Sequence, residues 1–371
     1  MNNKIDLVAV GPEDPLADGI ADALKEAGVK CFGPSKAGAK IEADKDWSKA
    51  FMVRHNIPTA KYESFTDAEK AKKFIRNAPF KALVVKASGL AAGKGVIVAK
   101  NVEEACAAVE EILGDKKFGS AGEVVVIEEL LSGEEISVLA FVDSHSVRVL
   151  PPAQDHKRLK ENDEGLNTGG MGAYCPCPLI NNAELDMVKT KVLQRAVNGL
   201  RSEGIEYNGI LYAGMMLTQD GPKTLEFNCR FGDPETQVIL PLLKDDLLDL
   251  MIATATNNLK SVPEIEYDAK HSAVGVVMAS KGYPETSTKG CVIENIEAVE
   301  KQENLIVFHS GTAKNEKSEW TTNGGRVLIN VAIAGNLVEA AKIATKACEV
   351  VNFDGAQFRR DIAKKAFRAR S

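Results

Sequence analysis

Two oxygen-bearing side chains, Glu226 and Asn228, flank a phenylalanine in the second half of the chain. Because side chains alternate between the two faces of a β-strand, Glu226 and Asn228 would share one face while Phe227 packs on the other. Carboxylate and amide oxygens on a rigid strand, completed by phosphate oxygens and water, suit Mg²⁺. The polar, turn-rich run at residues 229–235 follows directly, and no apolar core requires it. We therefore predict that the chain binds a magnesium–nucleotide complex.

A glycine-rich segment, residues 88–95, follows a short apolar run that carries Lys86. Glycines allow backbone N–H groups to approach phosphate oxygens, and a neighbouring lysine adds a mobile positive charge. The segment is not a Walker A loop, because it lacks the Lys-Ser/Thr frame and a strand is expected after it. Taken alone, it is equally compatible with a plain hairpin turn. The prediction of a phosphate-binding loop therefore depends on the segments around it.

An apolar run ends at Glu128 and Glu129, just before a turn at residues 133–135. Backbone groups at the end of such a strand can hydrogen-bond an adenine edge, and a carboxylate can reach the ribose hydroxyls. A solvated strand end is the simpler explanation when this segment is taken alone. An adenine-binding role is thus a hypothesis that needs support from the rest of the chain.

A polar block at residues 154–158 leads to a glycine-dense loop at residues 167–174. Loops of this composition are either flexible or packed closely on a ligand. His156 could act as a general base, although a lone histidine between charged neighbours more often has a structural or solvated role. No serine, cysteine or histidine is framed as a nucleophile with an activating base. We therefore expect the chemistry to be electrostatic rather than covalent through the protein.

The composition of the 371-residue chain sets the class of protein, with 44% hydrophobic and 26% charged residues. These values suit two or three packed globular domains. A net charge of −6 without a basic cluster argues against nucleic-acid and membrane-surface partners. The seven cysteines have no metal-ligand spacing, which favours a reducing compartment. With no signal peptide and no apolar stretch of about 18 residues, the predicted location is the cytosol.

Hydrophobic periodicity divides the chain into three blocks. The first reads as strand, helix, strand, typical of a parallel sheet, at residues 5–10, 16–27 and 29–32. The second begins with a helix at 45–55 and continues with strands at 82–87, 95–99, 124–130 and 135–142 around a helix at 102–113. It ends with a helix at 183–200 and a hairpin at 210–217 and 223–227. The third block has strands at 272–279, 305–308 and 326–333 and a helix at 337–350. We predict a multidomain protein of α/β and α+β class.

Together, the motifs resemble the phosphoribosylamine–glycine ligase family of ATP-grasp enzymes. The segments that carry the resemblance occur in the family's order, at residues 11–16, 85–95, 154–158, 167–174, 226–235, 282–284, 308–312, 323–327 and 360–362. The resemblance covers the whole chain. It implies an ATP-grasp domain at residues 41–258, with a small nucleotide-binding lobe at about 63–133. The remnant of an N-terminal parallel-sheet domain would occupy residues 1–40, and a C-terminal α+β domain residues 259–371.

The resemblance also implies an activity, the ligation of glycine to 5-phosphoribosylamine in de novo purine biosynthesis. The glycine carboxylate would attack the γ-phosphate of ATP, and the amine of phosphoribosylamine would then displace phosphate from glycyl phosphate. The products would be glycinamide ribonucleotide, ADP and phosphate. The implied cofactors are ATP and Mg²⁺ or Mn²⁺. Fusion to, or association with, other purine-pathway enzyme domains is a further expectation.

Specific roles follow from the resemblance, position by position. Contacts to the nucleotide are expected from Lys45, Lys86, Gly93, Lys94, Gly95, Glu128, Glu129, Leu130, Leu131 and Glu135. Metal ligation is expected from Glu226 and Asn228. Contacts to glycine and phosphoribosylamine are expected from Glu13, Asp155, Asn167, Thr168, Gly169, Gly170, Met171, Arg230 and Asp233. Of these, Asp155 and Arg230 are the predicted catalytic residues.

The chain departs from the family's pattern at two places. The family's opening strand and its Gly-x-Gly-Gly-Arg-Glu-His segment are absent, so a truncated first domain is expected. Asp44 stands where relatives carry a small serine-like residue, which slightly weakens the prediction that Lys45 contacts the phosphates of ATP. An alternative function is therefore a MgATP-binding module with impaired or no ligase activity. Another ATP-grasp enzyme, such as a carboxylase, is disfavoured because residues 167–174 match the glycine ligases.

Overall fold

The computed structural model of the chain describes residues 4–91 and 95–367. Numbered in chain order, the strands are β1 Leu7–Ala9, β2 Lys30–Phe32, β3 Tyr62–Phe65, β4 Val84–Ala87, β5 Val96–Val98, β6 Val125–Glu128, β7 Glu134–Val142, β8 Val147–Val149, β9 Gln154–Asp155, β10 Arg158–Lys160, β11 Glu164–Asn167, β12 Gly172–Cys175, β13 Gly209–Thr218, β14 Gly221–Asn228, β15 Ser272–Ala279, β16 Leu305–His309, β17 Thr312–Lys314, β18 Trp320–Thr322 and β19 Arg326–Ala334. The helices are α1 Glu13–Asp18, α2 Ile20–Glu26, α3 Lys36–Ala43, α4 Lys45–Arg54, α5 Ala68–Asn77, α6 Val102–Val109, α7 Asn182–Val188, α8 Gln194–Ser202, α9 Glu235–Ile239, α10 Leu247–Ala255, α11 Ile296–Glu300 and α12 Leu337–Val350.

The chain divides into two compact units. The first unit contains residues 1–150, 180–231 and 246–265, and the second contains residues 151–179, 232–245 and 266–371. Among the described residues, no helix is both long and apolar enough to cross a lipid bilayer.

The first unit begins with the predicted strand–helix–strand segment. Strands β1 and β2 pair in parallel, as expected. The helical stretch between them is two helices, because Gly19 adopts a φ of +99° and ends α1. Glycine is suited to this left-handed conformation, since other L-residues reach it only with strain.

A small lobe of the first unit is built on the antiparallel sheet β3-β6-β4-β5. Its buried apolar side chains, among them Val85, Val109 and Ile127, pack with α5 and α6 into one core. The predictions of β4, β5, β6 and α6 are confirmed, whereas β3 and α5 were not predicted. Strand β3 is short and partly polar, so it gives little hydrophobic signal. In α5 the charged residues outnumber the apolar ones, and Ala71, Phe74 and Ile75 lie on one side of the helix.

A second antiparallel sheet of the first unit has the order β14-β13-β7-β8. The predicted hairpin is present as β13 and β14, and a turn at Gly221 with a φ of +99° closes it. The predicted helix at residues 183–200 is also present, as α7 and α8 joined by a π-helical turn. This sheet carries Glu226 and Asn228 at the end of β14.

The second unit is organised around the antiparallel sheet β16-β19-β15-β12-β9. Helix α12 packs on its central strands β15 and β19, as expected for an α+β module. Strands β9 and β12 come from residues 151–179, which the sequence predicts to lie in the ATP-grasp domain. The sequence does not reveal this pairing, because contacts between strands about a hundred residues apart leave no periodic signal. The predicted domain boundaries stay a prediction.

Candidate functional site

Two lysines converge on one buried glutamate in the first unit. Lys86 on β4 places its Nζ 2.9 Å from Oε1 of Glu128 on β6, and Lys49 on α4 places its Nζ 3.0 Å from Oε2. All three side chains are at most 6% exposed. Two cations and one anion leave a net charge of +1 in a region of low dielectric constant, where an anionic ligand gains more than in water.

A β-bulge in β14 provides a further acceptor for Lys86. The register of β13 with β14 shifts between Gly214 and Met215, so Leu225 is the extra residue of β14. The carbonyl oxygen of Leu225 accepts a hydrogen bond of 3.2 Å from the Nζ of Lys86. The bulge therefore links the lysine cluster to the residue directly before Glu226.

Glu226 and Asn228 lie on one face of β14. Both side chains are half-buried, whereas Phe227 between them is 2% exposed, so the predicted alternation is confirmed. Within residues 4–91 and 95–367, no group of three or more His, Cys, Asp or Glu side chains is arranged to hold a metal ion. A pair of hard oxygen ligands nonetheless fits Mg²⁺, which keeps several waters and takes phosphate oxygens as its other ligands. The chemistry of this donor pair therefore fits a magnesium–nucleotide complex better than a metal site made of protein ligands alone.

Lys45 begins α4 and lies close to the same charges. Burial lowers the pKa of Lys45, and the nearby carboxylate of Glu226 partly opposes this effect. The Nζ of Lys45 donates to the carbonyl oxygen of Gly89, at 3.0 Å. Lys45 therefore lies beside Gly89 of the glycine-rich segment, while its predicted contact with ATP phosphates stays a prediction.

Asp44, which departs from the family's pattern, caps α4. Its carboxylate accepts from the backbone N–H of Trp47 at 3.0 Å and from the Ser88 hydroxyl at 3.0 Å. The Ser88 hydroxyl oxygen also accepts from the backbone N–H of Asp46, at 3.0 Å. Asp44 thus joins the start of α4 to the start of the glycine-rich segment, and the departure has a structural role.

The glycine-rich segment is only partly described. A Cβ added to Gly89 would lie 2.6 Å from the Cα of Ala121, and one added to Gly95 would lie 2.7 Å from the Cβ of Ala91. Both positions are therefore too crowded for a side chain. The predicted phosphate contacts of Gly93 and Lys94 lie outside the described residues.

The segment predicted to hold adenine and ribose follows β6. Both carboxylate oxygens of Glu128 are paired with lysines, Oε1 with Lys86 and Oε2 with Lys49. The backbone N–H groups of Glu129 and Leu130 donate to carbonyls of the first unit, at 2.8 Å each. Their side chains and those of Leu131 and Glu135 are half-buried. The nucleotide contacts of this segment stay a prediction.

Arg230 is held by two carboxylates of the first unit. Its Nε lies 3.0 Å from Oε2 of Glu13, and its NH2 lies 2.9 Å from Oε1 of Glu42. Burial opposes the charged form of Arg230, but Glu42 and Glu13 together raise its pKa. Glu42 also accepts from the backbone N–H of Cys229, at 2.7 Å. The structure therefore brings Glu13 and Arg230 together and adds Glu42, which was not predicted.

Lys49 was also not predicted, although the sequence contains a signal for it. Lys45 and Lys49 are four residues apart on α4, so they lie on the same side of that helix. A lysine at a buried helical position, one turn after a predicted phosphate ligand, is itself a candidate.

The second unit groups other predicted substrate contacts around Gly169 and Gly170. Gly170 has a φ of +117°, and a Cβ there would lie 2.7 Å from an oxygen of Asp155 and 2.4 Å from Pro234. Arg326, which has no predicted role, donates to the carbonyl of Gly169 at 2.9 Å and pairs with Asp233 at 3.1 Å.

The remaining predicted positions of this loop have internal contacts. The Thr168 hydroxyl donates to the Lys157 carbonyl at 2.9 Å, and Met171 is fully buried. The side chain of Asn167, at the end of β11, is exposed. Loop geometry thus brings Asp155, Gly169, Gly170 and Asp233 together, while their contacts with substrates stay a prediction.

His156 has a structural rather than a catalytic environment. It is fully buried, and burial followed by the charges of Lys365 and Arg359 lowers its pKa to about 3. The imidazole is therefore neutral near pH 7, and its burial keeps it from exchanging protons with solvent. This agrees with the preferred interpretation that His156 is not a general base.

Models of one family match all three blocks of the sequence. The N domain of phosphoribosylglycinamide synthetase matches residues 1–42, the ATP-grasp (A) domain residues 43–236 and the C domain residues 273–365. The chain belongs to the phosphoribosylglycinamide synthetase family. The N-domain match gives no support to the expectation of a truncated first domain. Because the matches extend from residue 1 to residue 365, they also do not favour a module without ligase activity.

Relatives of this synthetase family agree with that assignment. The chain is 75% identical over 369 residues to a trifunctional purine biosynthetic protein adenosine-3 of Chironomus tentans, and 55% identical over 364 residues to that of Homo sapiens. These alignments cover 100% and 98% of the chain but 27% and 36% of the relatives. The chain thus spans about a quarter to a third of the length of these curated relatives.

Solved structures are similar to the chain in fold. The chain is 34% identical to the phosphoribosylamine–glycine ligase of Thermotoga maritima, with a TM-score of 0.80, covering 90% of this chain and 82% of that one. The biotin carboxylase domain of the 2-oxoglutarate carboxylase of Hydrogenobacter thermophilus is 16% identical, with a TM-score of 0.72 and coverage of 95% and 76%. The latter likeness concerns the fold alone. The chain has the predicted ATP-grasp fold.

Proposed function

We propose that the chain catalyses the ATP-dependent ligation of glycine to 5-phosphoribosylamine. The observation that carries the proposal is the buried cluster of Lys49, Glu128 and Lys86 next to β14, in a chain that all three domain models of the family match. Similarity to the phosphoribosylamine–glycine ligase of Thermotoga maritima supports the choice of substrates.

The lysines of the first unit act on the phosphates of ATP in this proposal. Lys45 and Lys86 meet the phosphate oxygens, and Gly93, Lys94 and Gly95 are proposed as further nucleotide contacts. The backbone from Glu128 to Leu131 and the side chains of Glu129 and Glu135 face adenine and ribose, while the Glu128 carboxylate stays paired with Lys86 and Lys49. Electrostatic stabilisation by cations that are already in place is the main way in which a protein accelerates phosphoryl transfer.

Glu226 and Asn228 would hold Mg²⁺ or Mn²⁺. The bound metal would act as a Lewis acid on phosphate oxygens and neutralise their negative charge. Lys45, which experiences the charge of Glu226, would share in this neutralisation. The protein groups therefore supply both the metal ligands and the surrounding positive charge.

The reaction then proceeds in two displacement steps. A carboxylate oxygen of glycine forms a bond to the γ-phosphorus as the bond to the β–γ bridging oxygen breaks, giving glycyl phosphate and ADP. The amine of phosphoribosylamine attacks the carbonyl carbon, phosphate leaves and the nitrogen loses a proton. Arg230, held by Glu13 and Glu42, is the proposed partner for the carboxylate or acyl phosphate. Asp155, Asn167, Thr168, Gly169, Gly170, Met171 and Asp233 are proposed to contact the substrates.

The biological setting is a further part of the proposal. The relatives are named as trifunctional or bifunctional purine biosynthetic proteins, which supports fusion to other enzymes of that pathway. All seven cysteines are free thiols, which supports a reducing location such as the cytosol.

Formation of the ligation product tests the proposed function. We expect the purified chain to form glycinamide ribonucleotide, detected by mass spectrometry, only when ATP, Mg²⁺, glycine and phosphoribosylamine are all present. ADP should appear in a 1:1 ratio to product, because one phosphoryl group is transferred in each turnover. Omitting each component in turn is the control. Product-free hydrolysis of ATP, or dependence on bicarbonate instead of glycine, would contradict the proposal.

A further inference from the structure

We propose that Lys49 is a positioning residue for nucleotide binding, acting through Glu128 on Lys86. This inference rests on the proposed function, because it assigns Lys86 to ATP. It concerns the first unit alone, where Lys49, Glu128 and Lys86 lie on α4, β6 and β4.

The hydrogen bonds of Lys49 argue against direct contact between this lysine and a phosphate. Its Nζ donates to the Thr59 hydroxyl at 2.8 Å and to the Ala60 carbonyl at 3.5 Å, and it pairs with Glu128 at 3.0 Å. An ammonium group has three N–H donors, and these three acceptors match them. Its side chain is also only 2% exposed. Lys49 is therefore committed to protein partners.

The position of Lys49 is itself fixed by the protein. The Thr59 hydroxyl that accepts from Lys49 donates in turn to the carbonyl oxygen of Thr224, at 2.7 Å. The Tyr62 ring lies beneath the ammonium group, with 5.7 Å between Nζ and the ring centroid. The backbone segment at residues 59–62 therefore supports one orientation of the lysine.

Glu128 has a separate oxygen for each lysine. Oε1 pairs with Lys86 and Oε2 pairs with Lys49. Without Lys49, one oxygen of a buried carboxylate would lose its cation, and the whole carboxylate would compete with phosphate for Lys86. The net charge of the cluster would also fall from +1 to zero. Lys49 thus keeps Lys86 in place and leaves the cluster attractive to an anion.

The charge of Lys49 affects both the stability of the cluster and its attraction for an anion. Burial lowers the pKa of Lys49 to about 8, even though the charge of Glu128 opposes the shift. The charged form therefore carries a cost of desolvation, which the pairing with Glu128 at 3.0 Å partly offsets. The measurement that separates the two effects is therefore nucleotide affinity, since a purely structural lysine would change stability without changing the affinity of the folded protein.

A double-mutant cycle on nucleotide affinity tests this inference. The dissociation constant for MgATP would be measured by isothermal titration calorimetry for the wild type, Lys49→Met, Glu128→Gln and the double variant. We expect Lys49→Met to weaken MgATP binding by roughly tenfold, and by less than about twofold when Glu128→Gln is already present. Lys49→Arg, which keeps the charge, should restore affinity to within about threefold of the wild type.

Several outcomes distinguish this inference from the proposed function. An unchanged dissociation constant for Lys49→Met, or the same fold loss with and without Glu128, would overturn the role of Lys49 while the function stands. If the wild type binds no MgATP, the proposed function fails and the inference with it. Lys70→Met, an exposed lysine on α5, is the matched control and should bind like the wild type. If Lys49→Met does not fold, Thr59→Val removes one acceptor of Lys49 and should weaken binding by about threefold, whereas unchanged binding would overturn the inference.

Discussion

Replacing Lys86 with methionine is expected to lower kcat/KM for ATP by about 10²–10³-fold, because the site loses a cation that is already in place for the phosphates. The side chain is nearly isosteric, so the change removes charge more than volume. The Leu225 carbonyl and one oxygen of Glu128 would lose their donor. The cluster would carry no net charge, and its attraction for an anion would fall.

The loss in Lys86→Met should be specific to the nucleotide. Glu128 keeps its pairing with Lys49, so we expect the variant to fold, as judged by circular dichroism. Steady-state kinetics with ATP as the varied substrate measures the effect. Lys100→Met removes the same positive charge at an exposed position just after β5. This control variant should retain wild-type kinetics. Activity of Lys86→Met within about threefold of the wild type would refute the assignment of Lys86.

Replacing Glu226 with glutamine is expected to have an effect of similar size, through the metal. The substitution keeps the shape of the side chain but removes the negative charge that a hard cation requires. We expect kcat to fall by about 10²-fold or more at a Mg²⁺ concentration that saturates the wild type. The Mg²⁺ concentration for half-maximal activity should rise at least about tenfold, because metal affinity depends on ligand charge.

Metal titration separates this effect from a general loss of structure. Activity would be followed against Mg²⁺ and Mn²⁺ after removal of metal with a chelator, for the wild type and Glu226→Gln. Asp220→Asn, in the exposed turn that precedes β14, removes one carboxylate charge near the same hairpin and should leave the metal dependence unchanged. An identical metal requirement in Glu226→Gln and the wild type would exclude Glu226 as a ligand.

The features that could be predicted from the sequence depend on local patterns. The alternation of residues 226–228 specifies which side chains share a face, because strand geometry alone decides it. The parallel pair β1 and β2 and the hairpin of β13 and β14 also follow from spacing and turn residues. The family motifs then identified Lys45, Lys86 and Arg230 as candidates.

Contacts between residues that are distant in the sequence could not be predicted from local patterns. Glu42 and Glu13 meet at Arg230, about 190 and 220 residues further along the chain. Lys49 meets Glu128 only because α4 packs near β6, and β9 and β12 join a sheet whose other strands follow residue 271. A single sequence contains no periodicity that reports such pairings. Asp44 illustrates the reverse case, since its departure from the family pattern has a local explanation as the cap of α4.

The transfer of oxygen from glycine to phosphate shows directly whether the chain activates glycine through glycyl phosphate. Glycine labelled with ¹⁸O in both carboxylate oxygens would be turned over with ATP, Mg²⁺ and phosphoribosylamine, and the released phosphate analysed by ³¹P NMR. We expect one ¹⁸O atom in each phosphate and one in each molecule of glycinamide ribonucleotide. Product formation with no ¹⁸O in the phosphate would contradict it.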